Sequence, residues 1–115
     1  MDITPVIPKG KNLINAYGSD YVIINERKHP LPLLITPDKI IPSPLELGIL
    51  SSLTIKPEIL LIGHQLKQMR LNIDYAKYLE ELKISYETMS FGSAYRTYNV
   101  LLAEGRNIAA WCVFG

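Results

Sequence analysis

The stretch Met89-Ser90-Phe91-Gly92-Ser93-Ala94-Tyr95-Arg96-Thr97-Tyr98-Asn99-Val100-Leu101-Leu102-Ala103-Glu104-Gly105-Arg106 holds a helix start, a helix body and a helix stop in one element. Ser90 can cap the first turn, Ala94, Tyr98, Leu101 and Leu102 recur on one face, and Gly105 can close the last turn in the left-handed conformation. A surface helix would carry more Lys and Glu and fewer hydrogen-bonding aromatics. This one reads as a core helix or as the wall of a site.

Working outward from it, Ile84 to Met89 predicts a short strand with Ile84, Tyr86 and Thr88 on one face. Before that, Tyr75, Tyr78, Leu79 and Leu82 recur at i, i+3, i+4 and i+7, an amphipathic helix that Asn72 or Asp74 can cap. Ile59 to Ile62 is a continuous apolar run ending at Gly63, as expected of a strand buried on both faces. Ile108 to Phe114 reads as a final buried strand. The order strand, helix, strand, helix, strand implies right-handed crossovers and a partly parallel sheet with helices against it.

The first third has a different grammar. Leu13 to Tyr17, Tyr21 to Ile24 and Leu31 to Ile35 are separated by Gly18-Ser19-Asp20 and by a polar break from Asn25 to His29, which predicts two or three short strands in a meander. Pro30 and Pro32 strip ladder donors and place the third strand at an edge or make it begin late. Residues 36–48, with Pro37, Pro42, Pro44 and Gly48, read as a surface connection with at most a short helix within Leu45 to Leu53. The whole is one α/β domain over residues 1–115.

The charge balance excludes some partners. Twelve basic and 11 acidic side chains nearly cancel, with Lys9/Lys11 and Arg27/Lys28 as the only close basic groups, so no nucleic-acid stripe is present. No run approaches the ~20 apolar residues of a membrane span. Asp2, Pro5 and Pro8 lie where a basic or Arg-rich leader would stand, so a cytoplasmic setting is expected. The single cysteine, Cys112, has no internal disulfide partner and reads as a small core hydrophobe. No dense Asp, Glu and His cluster suggests a metal, and the glycines of a dinucleotide fingerprint or P-loop are missing, so neither metal nor cofactor is expected.

What chemistry remains gathers around two loops. At Ile62-Gly63-His64-Gln65 a buried strand meets a loop before a helix, where open α/β sheets place ligands, and Gly63 supplies the glycine of a tight turn. His64 can act as an acid or base, or as a hydrogen-bonding surface residue. The helix start at Ser90-Phe91-Gly92-Ser93 offers backbone donors and a positive dipole end, worth ~0.3–1 kcal/mol per nearby charge. Simple capping by Ser90 satisfies the same donors.

Arg96 has Gly92, Ser93, Asn99 and Val100 as its helical neighbours, none of them acidic. It must therefore be solvated, paired off the helix, or facing an anion. Glu104 opposes the helix dipole in the last turn, and Arg106 is its nearest counter-charge in sequence. One reading is a structural network of Arg96, Tyr98, Asn99, Glu104 and Arg106 at the junction of helix and sheet. The other is a small-anion crevice using Gly63, His64, Ser90, Gly92 and Arg96, with Tyr98 and Asn99 orienting the ligand. No Ser, His and Asp order is persuasive with only His29 and His64 available, and no catalytic residue is assigned.

Pro57-Glu58, Leu60-Leu61-Ile62-Gly63, Leu79, Ile84, Glu87, Met89, Ala94, Arg96-Thr97-Tyr98-Asn99-Val100-Leu101 and Glu104-Gly105-Arg106 together form a recognisable pattern. Over roughly residues 57–114 the chain resembles the family that contains mitochondrial complex I assembly factor three and many small uncharacterised bacterial proteins. The resemblance implies three layers: a mixed central sheet, flanking helices and an N-terminal β-hairpin or meander layer. It also implies that mitochondrial members help assemble respiratory complex I. Two positions depart from the family pattern, Gly63-His64-Gln65 in place of Gly-Thr-Gly and Tyr95 in place of Cys, so neither a shared loop ligand nor a thiol mechanism carries over.

The combined reading is a binding domain rather than an enzyme, acting on an unidentified protein partner with a tie to respiratory-complex biogenesis. The alternative is a small-molecule protein or enzyme that takes an anion or metabolite in the Gly63, Ser90 and Arg96 crevice. Either is compatible with a homo-oligomer.

Overall fold

In the computed structural model the described residues are 10–65 and 70–113. Asp2, Pro5, Pro8, Lys9 and Phe114, which entered the sequence reading, lie outside them.

Two sheets form. Strands β1 (Ile14–Tyr17), β2 (Tyr21–Ile24) and β3 (Arg27–Pro30) make an antiparallel meander. Strands β4 (Leu33–Ile35), β5 (Ile40–Ile41), β6 (Ile59–His64), β7 (Ser85–Ser90) and β8 (Ile108–Cys112) make a five-stranded sheet in the order β5-β4-β8-β6-β7. In it β6 runs parallel to both β7 and β8, and β4 antiparallel to β8 and β5, so the sheet is mixed. Helix α1 (Ile73–Glu81) connects β6 to β7, and α2 (Phe91–Ala103) connects β7 to β8. The two crossovers travel in opposite directions along the sheet. With the same hand they place their helices on opposite faces.

Alternation along the strands assigns those faces. Leu60 and Ile62 of β6, Ala109 and Trp111 of β8 and Leu34 of β4 pack with Leu50 and with Leu79 of α1. Their neighbours Leu61, Ile108, Ala110, Cys112, Leu33 and Ile35 pack with Phe91, Tyr98 and Leu102 of α2 and with Ile14, Val22 and Ile24 of the meander. A period of two delivers each strand's residues to both cores, which is why these runs are continuously apolar.

Local signals work as physical chemistry requires. Asn72 caps α1 by accepting from Asp74 N, and Ser90 caps α2 by accepting from Ser93 N. Gly105 stands at φ +74°, its N–H donating to Leu102 O while Arg106 N–H donates to Leu101 O, a Schellman closure of α2.

Three expectations change. The polar break is only Asn25-Glu26, at φ 50° and 69°, a two-residue hairpin turn, and the polar residues after it form β3. Those side chains sit at an edge of the meander, where a strand needs no inward apolar partner. The third predicted strand does begin late, at Leu33, but β4 lies inside the larger sheet between β5 and β8. Both prolines precede it, so its own ladder donors are intact. The connection 36–48 also contains β5, besides a 3-10 helix at Leu47–Ser52.

Candidate functional site

Strands β6 and β7 end side by side, with His64 registered against Ser90. Just beyond these carboxyl ends α2 begins, and an open crevice of about 320 Å³ is lined by Tyr17, His64, Gln65, Ser90, Phe91, Gly92 and Arg96. This is where a parallel sheet with helices on both faces opens to ligands.

Glycines create the space. A Cβ at Gly63 would lie 2.9 Å from Ala94 Cβ and 3.1 Å from Phe91 Cδ1. The glycine expected to serve a tight turn instead lies within β6 and lets α2 approach the strand. At Gly92 a Cβ would stand 2.8 Å from the Tyr17 hydroxyl and 3.3 Å from Arg96 Nη1. Its absence lets a phenol and a guanidinium converge over the first turn of the helix. The Tyr17 ring leans on Phe91 at 5.4 Å and on Tyr95 at 5.8 Å between centroids. Gln65 Nε2 donates to Ser19 O at 2.6 Å and ties the crevice rim to the β1–β2 turn.

His64 is 5% exposed and belongs to β6, so the surface-residue reading gives way to a buried one. Arg96 is exposed at the crevice, and among the described residues no carboxylate lies within ion-pair distance of it. None of the lining residues is acidic. Ser90 Oγ accepts from Ser93 N and donates to Ser93 Oγ at 3.0 Å, so capping occupies its hydroxyl.

The predicted cluster of Arg96, Tyr98, Asn99, Glu104 and Arg106 is divided by the fold. Tyr98 is fully buried and its hydroxyl donates to Asn12 O at 2.7 Å. Burial first, then the charges of Asp38 and Cys112, push its pKa well above the usual phenol range. Asn99 Nδ2 donates to Ile14 O at 2.7 Å and its Oδ1 accepts from Ile14 N at 3.1 Å. That amide acts as a short piece of strand against β1. Arg106 pairs with Glu58 at 3.3 Å instead of Glu104, which stays exposed, because the turn at Gly105 carries the chain away from the helix. Of the Arg96-to-Asn99 block, Arg96 faces the crevice while Tyr98 and Asn99 fasten α2 to the meander.

A second cleft of about 150 Å³ lies at the other end of α2. Leu102, Ile108 and Pro57 line it together with Thr36 and the Lys11–Asp38 ion pair, closed at 2.6 Å. Its residues come from segments far apart in sequence, and no local pattern announces it. The Cys112 thiol is pushed up to about 12 by burial. Among the described residues no group of three or more His, Cys, Asp or Glu could hold a metal. Nor is any helix among them long and apolar enough to cross a membrane.

Residues 14–113 match the family described as "Protein of unknown function (DUF498/DUF598)". The chain belongs to this family. Solved structures of similar proteins span nearly the whole domain. A Bartonella henselae protein described as an outer membrane protein is 31% identical, covering 96% of this chain and 100% of that one with a TM-score of 0.81. A Bordetella parapertussis protein is 25% identical, covering 91% and 97% with a TM-score of 0.79. A Bordetella pertussis protein described as an Mth938-like domain shares the fold at 21% identity and a TM-score of 0.76, covering 98% and 92%. No curated protein matches the chain. The DUF498/DUF598 fold of this chain is thus the mixed-sheet α/β arrangement with an added meander.

Proposed function

We propose that the domain binds a small anionic group in the crevice at the carboxyl ends of β6 and β7, without transforming it. The observation that carries this reading is Arg96: a guanidinium without a carboxylate partner among the described residues, beside a helix start and in a crevice free of acidic side chains. The helix dipole and the guanidinium favour the same sign of charge.

Binding is favoured over catalysis because, among the described residues, the groups with displaced pKa values, Tyr98 and Cys112, stay protonated at neutral pH and do not line the crevice. The partner-binding reading, with its tie to respiratory-complex assembly, requires an apolar docking patch. Among the described residues the exposed large apolar side chains are Tyr17 of β1, Ile55, Ile73 and Tyr75 of α1, Tyr86 of β7 and Val100 of α2, drawn from five parts of the chain. The crevice therefore takes precedence.

Thermal melting with phosphate or sulfate tests the reading. The expected result is a saturable rise in melting temperature that Arg96→Gln largely removes while leaving the unliganded fold intact, and that weakens with added sodium chloride. An equal rise in both proteins would mark a nonspecific salt effect and return precedence to the partner-binding reading.

A further inference from the structure

The second cleft, at the last turn of α2, has walls that are fixed by hydrogen bonds of their own. On the side of Thr36 to Asp38, Asn12 N–H donates to Pro37 O at 2.9 Å, Asn12 Nδ2 donates to Thr36 O at 3.0 Å, and Thr36 Oγ1 accepts from Lys39 N at 2.9 Å. On the α2 side the Schellman closure holds Gly105 and Arg106, and Glu58 N–H donates to Asn107 O at 2.8 Å. Leu102, Ile108 and Pro57 are buried in its lining, and Ile55, 59% exposed, adds an apolar side chain open to solvent. The cleft measures about 150 Å³, and an apolar space of that size takes a molecule as large as benzene.

We propose that this cleft is a ligand site separate from the anion crevice, one that takes an uncharged, ring-sized molecule with an amide-type edge.

Charge disfavours ions of either sign. Lys11 pairs with Asp38 at 2.6 Å and Arg106 with Glu58 at 3.3 Å, so the positive and negative groups cancel. An anion would meet Asp38 and the negative end of the α2 dipole, and a cation would meet Lys11 and Arg106. Either would leave water without a free counter-charge to receive it. A neutral ring avoids that cost and covers the apolar surface of Leu102, Ile108 and Ile55.

The polar edge follows from Asn107. This residue lines the cleft, is exposed, and its side-chain amide has no hydrogen-bond partner among the described residues. A primary amide both donates and accepts. The group that satisfies both functions at once presents an acceptor and a donor side by side, as a carboxamide or a lactam does. Because the anion crevice sits at the first turn of α2 and this cleft at its last, the two sites can be titrated separately.

Three probes with one ring test the proposal: benzamide is neutral, benzoate an anion and benzylamine a cation at neutral pH. Each is titrated into the isotope-labelled full chain at constant ionic strength and followed by NMR. Benzamide should give saturable amide shifts at Thr36, Gly105 and Asn107 and intermolecular Overhauser contacts to the Leu102 and Ile108 methyls, with both ions binding about tenfold more weakly. Asn107→Leu changes an exposed side chain, so it should stay folded by circular dichroism and weaken benzamide about fivefold without weakening toluene. Ile55→Ser should weaken both. Shifts that are linear and spread over the surface, equal binding of the three probes, contacts to methyls outside the cleft, or a benzamide affinity unaltered by Asn107→Leu would overturn the proposal. Should a variant fail to fold, the three-probe comparison on the native protein decides alone.

Discussion

Replacing Gly63 by alanine sets two effects of opposite sign against each other. Gly63 has no left-handed φ, so alanine fits the backbone there, and restricting the unfolded chain would stabilise by about 0.4–1 kcal/mol. The new methyl, however, would sit 2.9 Å from Ala94 Cβ and 3.1 Å from Phe91 Cδ1, neither of them the far end of a flexible side chain. Overpacking of that kind costs about 1–3 kcal/mol, so the midpoints of the two ranges leave a net loss of about 1 kcal/mol. Adding Ala94→Gly opens the tighter contact while costing about 1 kcal/mol of helix propensity, so the double variant should be less destabilised than the sum of the single ones. Urea unfolding with unchanged slope gives each value from the midpoint. A Gly63→Ala protein as stable as the native one would refute the close approach of α2 to β6, and with it the shape of the crevice.

Other perturbations probe the same framework. Leu79→Ala empties a fully buried position between α1 and the sheet and should cost about 2–5 kcal/mol by denaturant unfolding. Asn99→Ala strands the N–H and C=O of Ile14 and should cost about 1–3 kcal/mol, with faster hydrogen exchange at Ile14 and little change in α1. Alkaline pH should destabilise the fold: Cys112 shifts from 9.0 to about 12 and Tyr98 rises above its ordinary 10.0, so the unfolded chain releases these protons first. Stability is then full below pH 9.0 and falls as pH climbs toward 12, with a shallower fall in Cys112→Ala.

The C-terminal half of the fold was legible because each of its elements carries its own signal. Asn72 and Ser90 mark helix starts, Gly105 marks a stop, and the unbroken apolar runs of β6 and β8 mark strands that serve two cores. The N-terminal third was less so, because sheet membership is a long-range property: nothing in Leu33–Ile35 says that it pairs with Leu33↔Cys112 register rather than with the meander. The crevice was partly legible. A strand end, a helix start and an arginine without a helical partner converge as expected, but Tyr17 enters from β1, which no local pattern links to α2. Tyr98 and Asn99 looked like ligand contacts because hydrogen-bonding residues on a helix have the same signature whether they face a ligand or a neighbouring strand.

Arg96 is the proposed charged contact of the anion crevice. A titration of the isotope-labelled protein with phosphate, followed by backbone amide and arginine side-chain NMR at constant ionic strength, tests it directly. Saturable shifts confined to Gln65, Phe91, Gly92, Ser93 and the Arg96 guanidinium, abolished in Arg96→Gln, are the predicted result. Shifts that are linear in phosphate, spread over the surface and unchanged in Arg96→Gln would contradict it.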